Sequence, residues 1–178
     1  MDDKEELTEV VGKKILMITT EHSIQQCDYS PHGEFRNILL YLVATHSPQQ
    51  ILEEWRSDDR STIGCRIAEE KLEGSWRGIS PPCHLNLSWQ GYRNLDGLML
   101  REYGPIALQT AREQYMLGKI QEATQESQTT LLIAGLAHHQ SLAEKLASLG
   151  YGIEAFYWIR PGDRIPDFVS SAWQWQPN

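Results

Sequence analysis

Ile15-Leu16-Met17-Ile18-Thr19-Thr20-Glu21-His22 and Thr130-Leu131-Leu132-Ile133-Ala134-Gly135-Leu136-Ala137-His138-His139 decide the reading of this chain. Each is a short apolar run that closes on a polar pair containing histidine. Short apolar runs bounded by polar or glycine residues read as strands buried on both faces of a sheet. If the two are parallel strands of one sheet, their histidines share an edge. In open α/β sheets that carboxyl edge is where ligands bind.

Outward from these runs, strands alternate with helices. Residues 23–33 carry Asp28, Ser30, Pro31 and Gly33 and read as a loop. Glu34 to His46 contains a continuous apolar stretch, yet Phe35, Ile38, Leu39, Leu42 and Val43 fall on one helix face. Ser47-Pro48 ends that helix, because a residue before proline avoids the α region. Gln50 to Glu54 reads as a second strand. Ser61 or Thr62 caps a helix with a stripe of Ile63, Ile67 and Leu72, which Gly74 stops. Trp76 to Ile79 is a third strand. Ile106 to Gln125 is the longest helix, with Leu108, Ala111, Tyr115, Ile120 and Ala123 as its buried face. Thr130 to Leu136 is the fourth strand, Gln140 to Leu149 a helix closed by Gly150, and Gly152 to Ile159 the fifth strand.

This alternation predicts an α/β fold: a three-layer arrangement with a mostly parallel sheet of about five strands and helices on both faces. The expected organisation is a single domain over residues 1–178. It has a polar arm over 1–12, a loop or lid over 80–101 and a C-terminal tail over 160–178.

Charge and composition bound the function. With 16 basic residues against 24 acidic ones, the net charge of −8 argues against a sequence-independent grip on nucleic acid. Met1-Asp2-Asp3-Lys4-Glu5-Glu6 is too charged for a signal peptide, and no run reaches the ~20 apolar residues of a membrane span. Cys27, Cys65 and Cys83 are far apart and form no CxxC, which argues against a structural zinc site. A cytoplasmic protein with free thiols is the expectation, without nucleic-acid or membrane partners.

Polar groups stand just past the strand ends: Glu21 and His22, Glu53 and Glu54, Ser80, then His138 and His139. Carboxylates with imidazoles suit a divalent metal, and Glu21, His22, Glu53 and His138 are the ligand set this predicts. The same groups suit general acid–base chemistry, with Glu21, His22, Glu54, Arg112 and His138 as the catalytic set. Neighbouring strand residues point to opposite faces, so one of Glu53 and Glu54 faces the site. Arg112 flanks the buried helix face and needs a carboxylate or a bound anion, either a strand-end glutamate or a substrate group. His139 reads as capping or beginning the following helix. His32, His46 and His84 sit in or near loops and read as packing or surface residues.

Four segments carry a likeness. Met17-Ile18-Thr19-Thr20-Glu21-His22, Ile51-Leu52-Glu53-Glu54, Arg112-Glu113-Gln114-Tyr115-Met116 and Leu132-Ile133-Ala134-Gly135-Leu136-Ala137-His138 occur in that order over residues 14–158. They resemble, respectively, the strand-one "GEH/TEH" signature, the acidic end of strand two, the "R-E-x-x-M" helix and the "G-x-x-H" strand end of the superfamily of erythromycin esterase-like, ChaN-like and TraB-like proteins. The resemblance implies a parallel α/β fold with a polar site at the strand ends. Some members of that superfamily resemble metal-dependent hydrolases or esterases, others are linked to haem-iron handling or signalling, and many have no known activity. With the strand-end carboxylates and imidazoles, the expectation is a small hydrolase of an ester, amide or related bond, with a divalent metal ion as the expected cofactor. Two departures stand out: Thr20 replaces the usual glycine, and Ser80 stands where an acid is common. The alternative is a non-catalytic ligand-binding or protein-interaction module of the same fold. Expected partners are a small-molecule or peptide substrate, and a second copy or another protein at the C-terminal tail.

Overall fold

In the computed structural model, residues 12–26, 32–81 and 104–159 are described, without the side chains of residues 32, 104–109 and 111. The arm before Gly12, the expected lid beyond Pro81 and the tail from Arg160 lie outside them. So do Cys27, Cys83 and His84. Five strands, β1 (Lys14–Thr20), β2 (Gln50–Glu53), β3 (Trp76–Gly78), β4 (Thr129–Gly135) and β5 (Gly152–Tyr157), form one parallel sheet in the order β3-β2-β4-β1-β5. The helices are α1 (His22–Gln25), α2 (His32–His46), α3 (Ile63–Lys71), α4 (Gly104–Ala123) and α5 (His139–Ser148), with a 3₁₀ turn at Leu136–His138.

Strand order dictates the layers. The steps β1 to β2 to β3 run one way along the sheet, and β3 to β4 to β5 run the other way. Right-handed crossovers therefore put α2 and α3 on one face and α4 and α5 on the opposite face. The two halves of the core follow strand alternation. Leu16, Ile18, Ile51, Leu131 and Ile133 pack with Phe35, Leu39 and Ile67 on the first face. Ile15, Met17, Leu52, Leu132 and Ala134 pack with Met116, Ile120, Leu142 and Leu146 on the second. The α/β architecture with helices on both faces is thus as the sequence predicts. The switch point lies between β4 and β1, whose chains leave toward opposite faces, and that crevice is where an open α/β sheet binds ligands.

Three local readings need correction. Residues 22–25 are a helical turn rather than loop: Ile24 N–H donates to the Glu21 carbonyl at 2.9 Å, and Ile24 is fully buried. One isoleucine among polar neighbours has no periodicity to announce such a turn. The α2 helix begins at His32, two residues before the predicted start. Among the described side chains of α4 the buried stripe is Glu113, Met116, Leu117, Ile120 and Ala123, while Tyr115 lies on its flank. Leu108 and Ala111, expected on that face, lie outside the described side chains. The α2 helix ends at His46, and Ser47 takes φ 48°, outside the right-handed α region. Among the described residues, no helix is long and apolar enough to cross a membrane.

Thr62 caps α3, accepting from Cys65 N–H at 3.2 Å. Its own hydroxyl donates to Glu53 Oε2 at 2.6 Å, and Trp76 Nε1 donates to the same oxygen at 2.8 Å. Glu53 Oε1 is buried with no partner among the described residues. Burial pushes the Glu53 carboxyl up to about 7, against the downward pull of Thr62 and Trp76. A raised carboxyl pKa means that the unfolded chain ionises first. Stability should therefore fall as pH rises from about 4.5 through about 7, by on the order of 3 kcal/mol. Urea unfolding of Glu53→Gln across this window should lack that loss. An equal slope in wild type and variant contradicts the assignment.

Candidate functional site at the carboxyl edge of the sheet

The residue after β2 still holds the ladder: Glu54 N–H donates to the Ile133 carbonyl at 2.8 Å. Its side chain then enters the crevice above β4. Glu54 Oε2 accepts from the Gly135 backbone N–H at 2.7 Å, and Oε1 accepts from Arg112 Nη2 at 2.6 Å. His138 Nε2 lies 3.2 Å and His22 Nε2 3.7 Å from Oε1. The Glu54 side chain is fully buried. Gly135 makes room for this approach, since a Cβ there would stand 3.0 Å from His22 Nε2 and 3.1 Å from Glu54 Oε2.

The second carboxylate comes from α4. Glu113 lies on the buried stripe one residue beyond Arg112, so the two side chains diverge by about 100° around the helix. Glu113 Oε1 meets His138 Nδ1 at 2.8 Å and accepts from Ser141 Oγ at 2.5 Å. Lys145 Nζ of α5 donates to Oε2. Charges thus alternate across the crevice: Lys145, Glu113, His138, Glu54, Arg112.

Electrostatics follow from that order. Burial alone would raise the Glu54 carboxyl, but the hydrogen bond and charge of His138, with His22 and Arg112, outweigh it and hold it at about 2. Burial alone would lower His138, but hydrogen bonds and charges from Glu113 and Glu54 lift it to about 9. Near neutral pH, His138 is an imidazolium that donates both ring N–H groups to carboxylates. The adjacent His139, first residue of α5, differs: burial lowers its pKa, and Nδ1 shares a 2.7 Å hydrogen bond with Thr19 Oγ1.

Of the residues singled out in the sequence, the structure brings Glu54, His22, Arg112 and His138 together. Arg112 takes the strand-end glutamate as its carboxylate. Glu53 does not join them: alternation sends it to the α3 side of the sheet, against Thr62 and Trp76. Glu21 serves the adjacent turn, accepting from Ser23 Oγ at 3.3 Å. Sequence reading missed Glu113, Ser141 and Lys145, although an acid on the apolar stripe of a helix was a usable signal. It also missed Trp55, whose ring stands 6.2 Å from that of His22.

The donor chemistry does not suit the expected cation. Both nitrogens of His138 face carboxylates, both oxygens of Glu54 are engaged by donors, and Glu53 lies across the sheet. Among the described residues no group of three His, Cys, Asp or Glu side chains is disposed to hold a metal ion.

The fold and this cluster define an α/β protein with a buried carboxylate–imidazolium–guanidinium network at the sheet's switch point. No protein-family model, curated protein or solved structure matches the chain.

Removing the central cation leaves two buried carboxylates facing one another. His138→Gln should cost about 3–5 kcal/mol, the usual price of breaking a buried pair. In wild type the His138 contribution should be complete below about 6.5 and lost as pH rises through about 9. The Glu54 contribution should be present above about 4.5 and lost as pH falls toward about 2. Side-chain 15N resonances of His138 at pH 7.5 should report a doubly protonated ring. A neutral tautomer there contradicts the arrangement.

Proposed function

We propose that this chain is a small hydrolase of an ester, amide or related bond, with His22 as a metal-free general base. The observation that carries the reading is a half-exposed imidazole at the switch-point crevice, backed by the buried carboxylate of Glu54. A base must reach solvent and needs a counter-charge nearby; His22 is half exposed and its Nε2 stands 3.7 Å from Glu54 Oε1. His138 is already protonated and acts as a fixed charge. Glu54 supports the imidazolium formed when His22 takes a proton from water. The water oxygen then bonds to the substrate carbonyl carbon, the bond to the leaving group breaks, and the imidazolium returns its proton to the leaving atom. Arg112 commits Nη2 to Glu54, and its Nε has no acceptor among the described residues. That Nε is buried, so contact with a substrate carbonyl oxygen or anionic group falls to the part of the guanidinium that stays exposed. The likeness to erythromycin esterase-like proteins in the segments around Glu21-His22 and His138 points the same way.

The second reading, a non-catalytic module that binds a small molecule or a protein, has one observation in its favour. The buried charges from Lys145 to Arg112 are partnered within the fold, so they need no ligand to be stable.

The test is turnover on a panel of activated esters and anilides. His22→Ala should lower kcat/KM by about a hundredfold or more, the range of a lost general base, with the unfolding midpoint unchanged. Chelation followed by dialysis should leave wild-type turnover intact. Turnover that disappears with chelation and returns with zinc or manganese supports the metal-bound variant instead. Wild type with no turnover on any substrate, with or without added metal, leaves the binding module as the surviving reading.

A further inference from the structure

Beside the site, at the β3 edge of the sheet, a cleft of about 760 Å³ is lined by β3, α4 and the segment that follows β2. Its position follows from strand register. Arg77 pairs with Leu52, which belongs to the α4 and α5 half of the core, so the arginine side chain stands on that face. Across from it α4 contributes Tyr115, Lys119 and Glu122. The Arg77 charge acts on both Lys119 and Glu122, which places the two cations within electrostatic reach of each other.

Four cations, Arg56, Arg60, Arg77 and Lys119, line this cleft against two carboxylates, Asp58 and Glu122. That balance opposes the chain's net charge of −8. Three of the cations have carboxylate partners: Arg56 with Asp58, Arg60 with Glu69 and Lys119 with Glu122. These pairs are solvent-exposed and weak, so a more highly charged anion can compete for the cations. The Arg77 guanidinium has neither ion pair nor hydrogen bond among the described residues. Among the described residues Glu122 is the carboxylate that both Arg77 and Lys119 act on, so this side of the cleft keeps an excess of positive charge.

The rim is preformed. Ile79 N–H donates to the Glu53 carbonyl at 2.8 Å and Ser80 N–H to the Trp55 carbonyl at 3.1 Å. Gly78 lets the turn lie flat on β3, since a Cβ there would come 2.5 Å from the Trp55 carbonyl oxygen. Ser57 and Ser80 add hydroxyl groups to the lining. A cavity of this size suits a small molecule. We propose that the cleft binds a phosphorylated small molecule, with the phosphoryl group between Arg77 and Lys119. Arginine offers a planar fork to phosphate oxygens and lysine a compact charge. This site is separate from the His22–Glu54 cluster and does not rest on the hydrolase reading.

Pyrophosphate is the probe, titrated into the full chain by calorimetry at low ionic strength. Binding should saturate and weaken with added salt. Arg77→Thr and Lys119→Gln, both at exposed positions, should keep the unfolding midpoint and weaken binding by about tenfold or more each. His22→Ala should bind as wild type does. Three results overturn the proposal: no saturable binding at millimolar pyrophosphate, binding unchanged in both cleft variants, or binding lost in His22→Ala to the same extent as in Arg77→Thr.

Discussion

A carboxylate buried at the end of β2 sets the conditions for the rest of this edge. Taking Glu54 out of water costs several kcal/mol unless donors replace its hydration. Four different elements supply them or stand beside them: Gly135 at the end of β4, Arg112 of α4, His138 of the 3₁₀ turn and His22 at the start of α1. None of these is near Glu54 in the sequence. The carboxylate therefore works as a keystone that ties the ends of three strands to α4.

One buried charge then calls for the next. His138 is held protonated by Glu113 on one ring nitrogen and Glu54 on the other, and Glu113 in turn accepts from Ser141 and Lys145. The network begins at Glu54 in the crevice and runs along the α4–α5 contact to the surface at Lys145. Such a chain is rigid, since moving any member exposes an unpaired charge at low dielectric. His22 stands apart in this respect. It is half exposed and meets the network at one end, beside Glu54. The cleft beside β3 is a different kind of surface, open and cationic, and it shares only the sheet edge and α4 with the buried network.

The strands and their polar ends were legible because burial on both faces leaves an unbroken apolar run. The α2 helix was legible because Phe35, Ile38, Leu39, Leu42 and Val43 keep one face. The α1 turn was not, since Ile24 is a single anchor. Among the site residues, His22, Glu54, Arg112 and His138 were readable from strand ends and a helix flank. Glu113 was hidden by its neighbour: Arg112 drew attention as the cation in need of a partner, while the acid beside it occupied the buried stripe. Ser141 and Lys145 gave no signal, because an α5 residue on the side facing α4 looks like any surface residue until the two helices are packed.

From residue order alone, strand alternation determines that Glu53 and Glu54 point to opposite faces, and apolar periodicity determines which segments are strands and which are helices. Which glutamate meets the histidines was decided by the tertiary structure. The order β3-β2-β4-β1-β5 inserts β4 between β2 and β1, so that the Gly135 N–H and His138 arrive beside Glu54, while Thr62 and Trp76 close over Glu53. The physical reason is that local sequence sets the period of burial, whereas the protonation of a buried group depends on charges brought in from distant elements. Two adjacent glutamates thus end on opposite sides of their ordinary pKa, one at about 2 and the other at about 7.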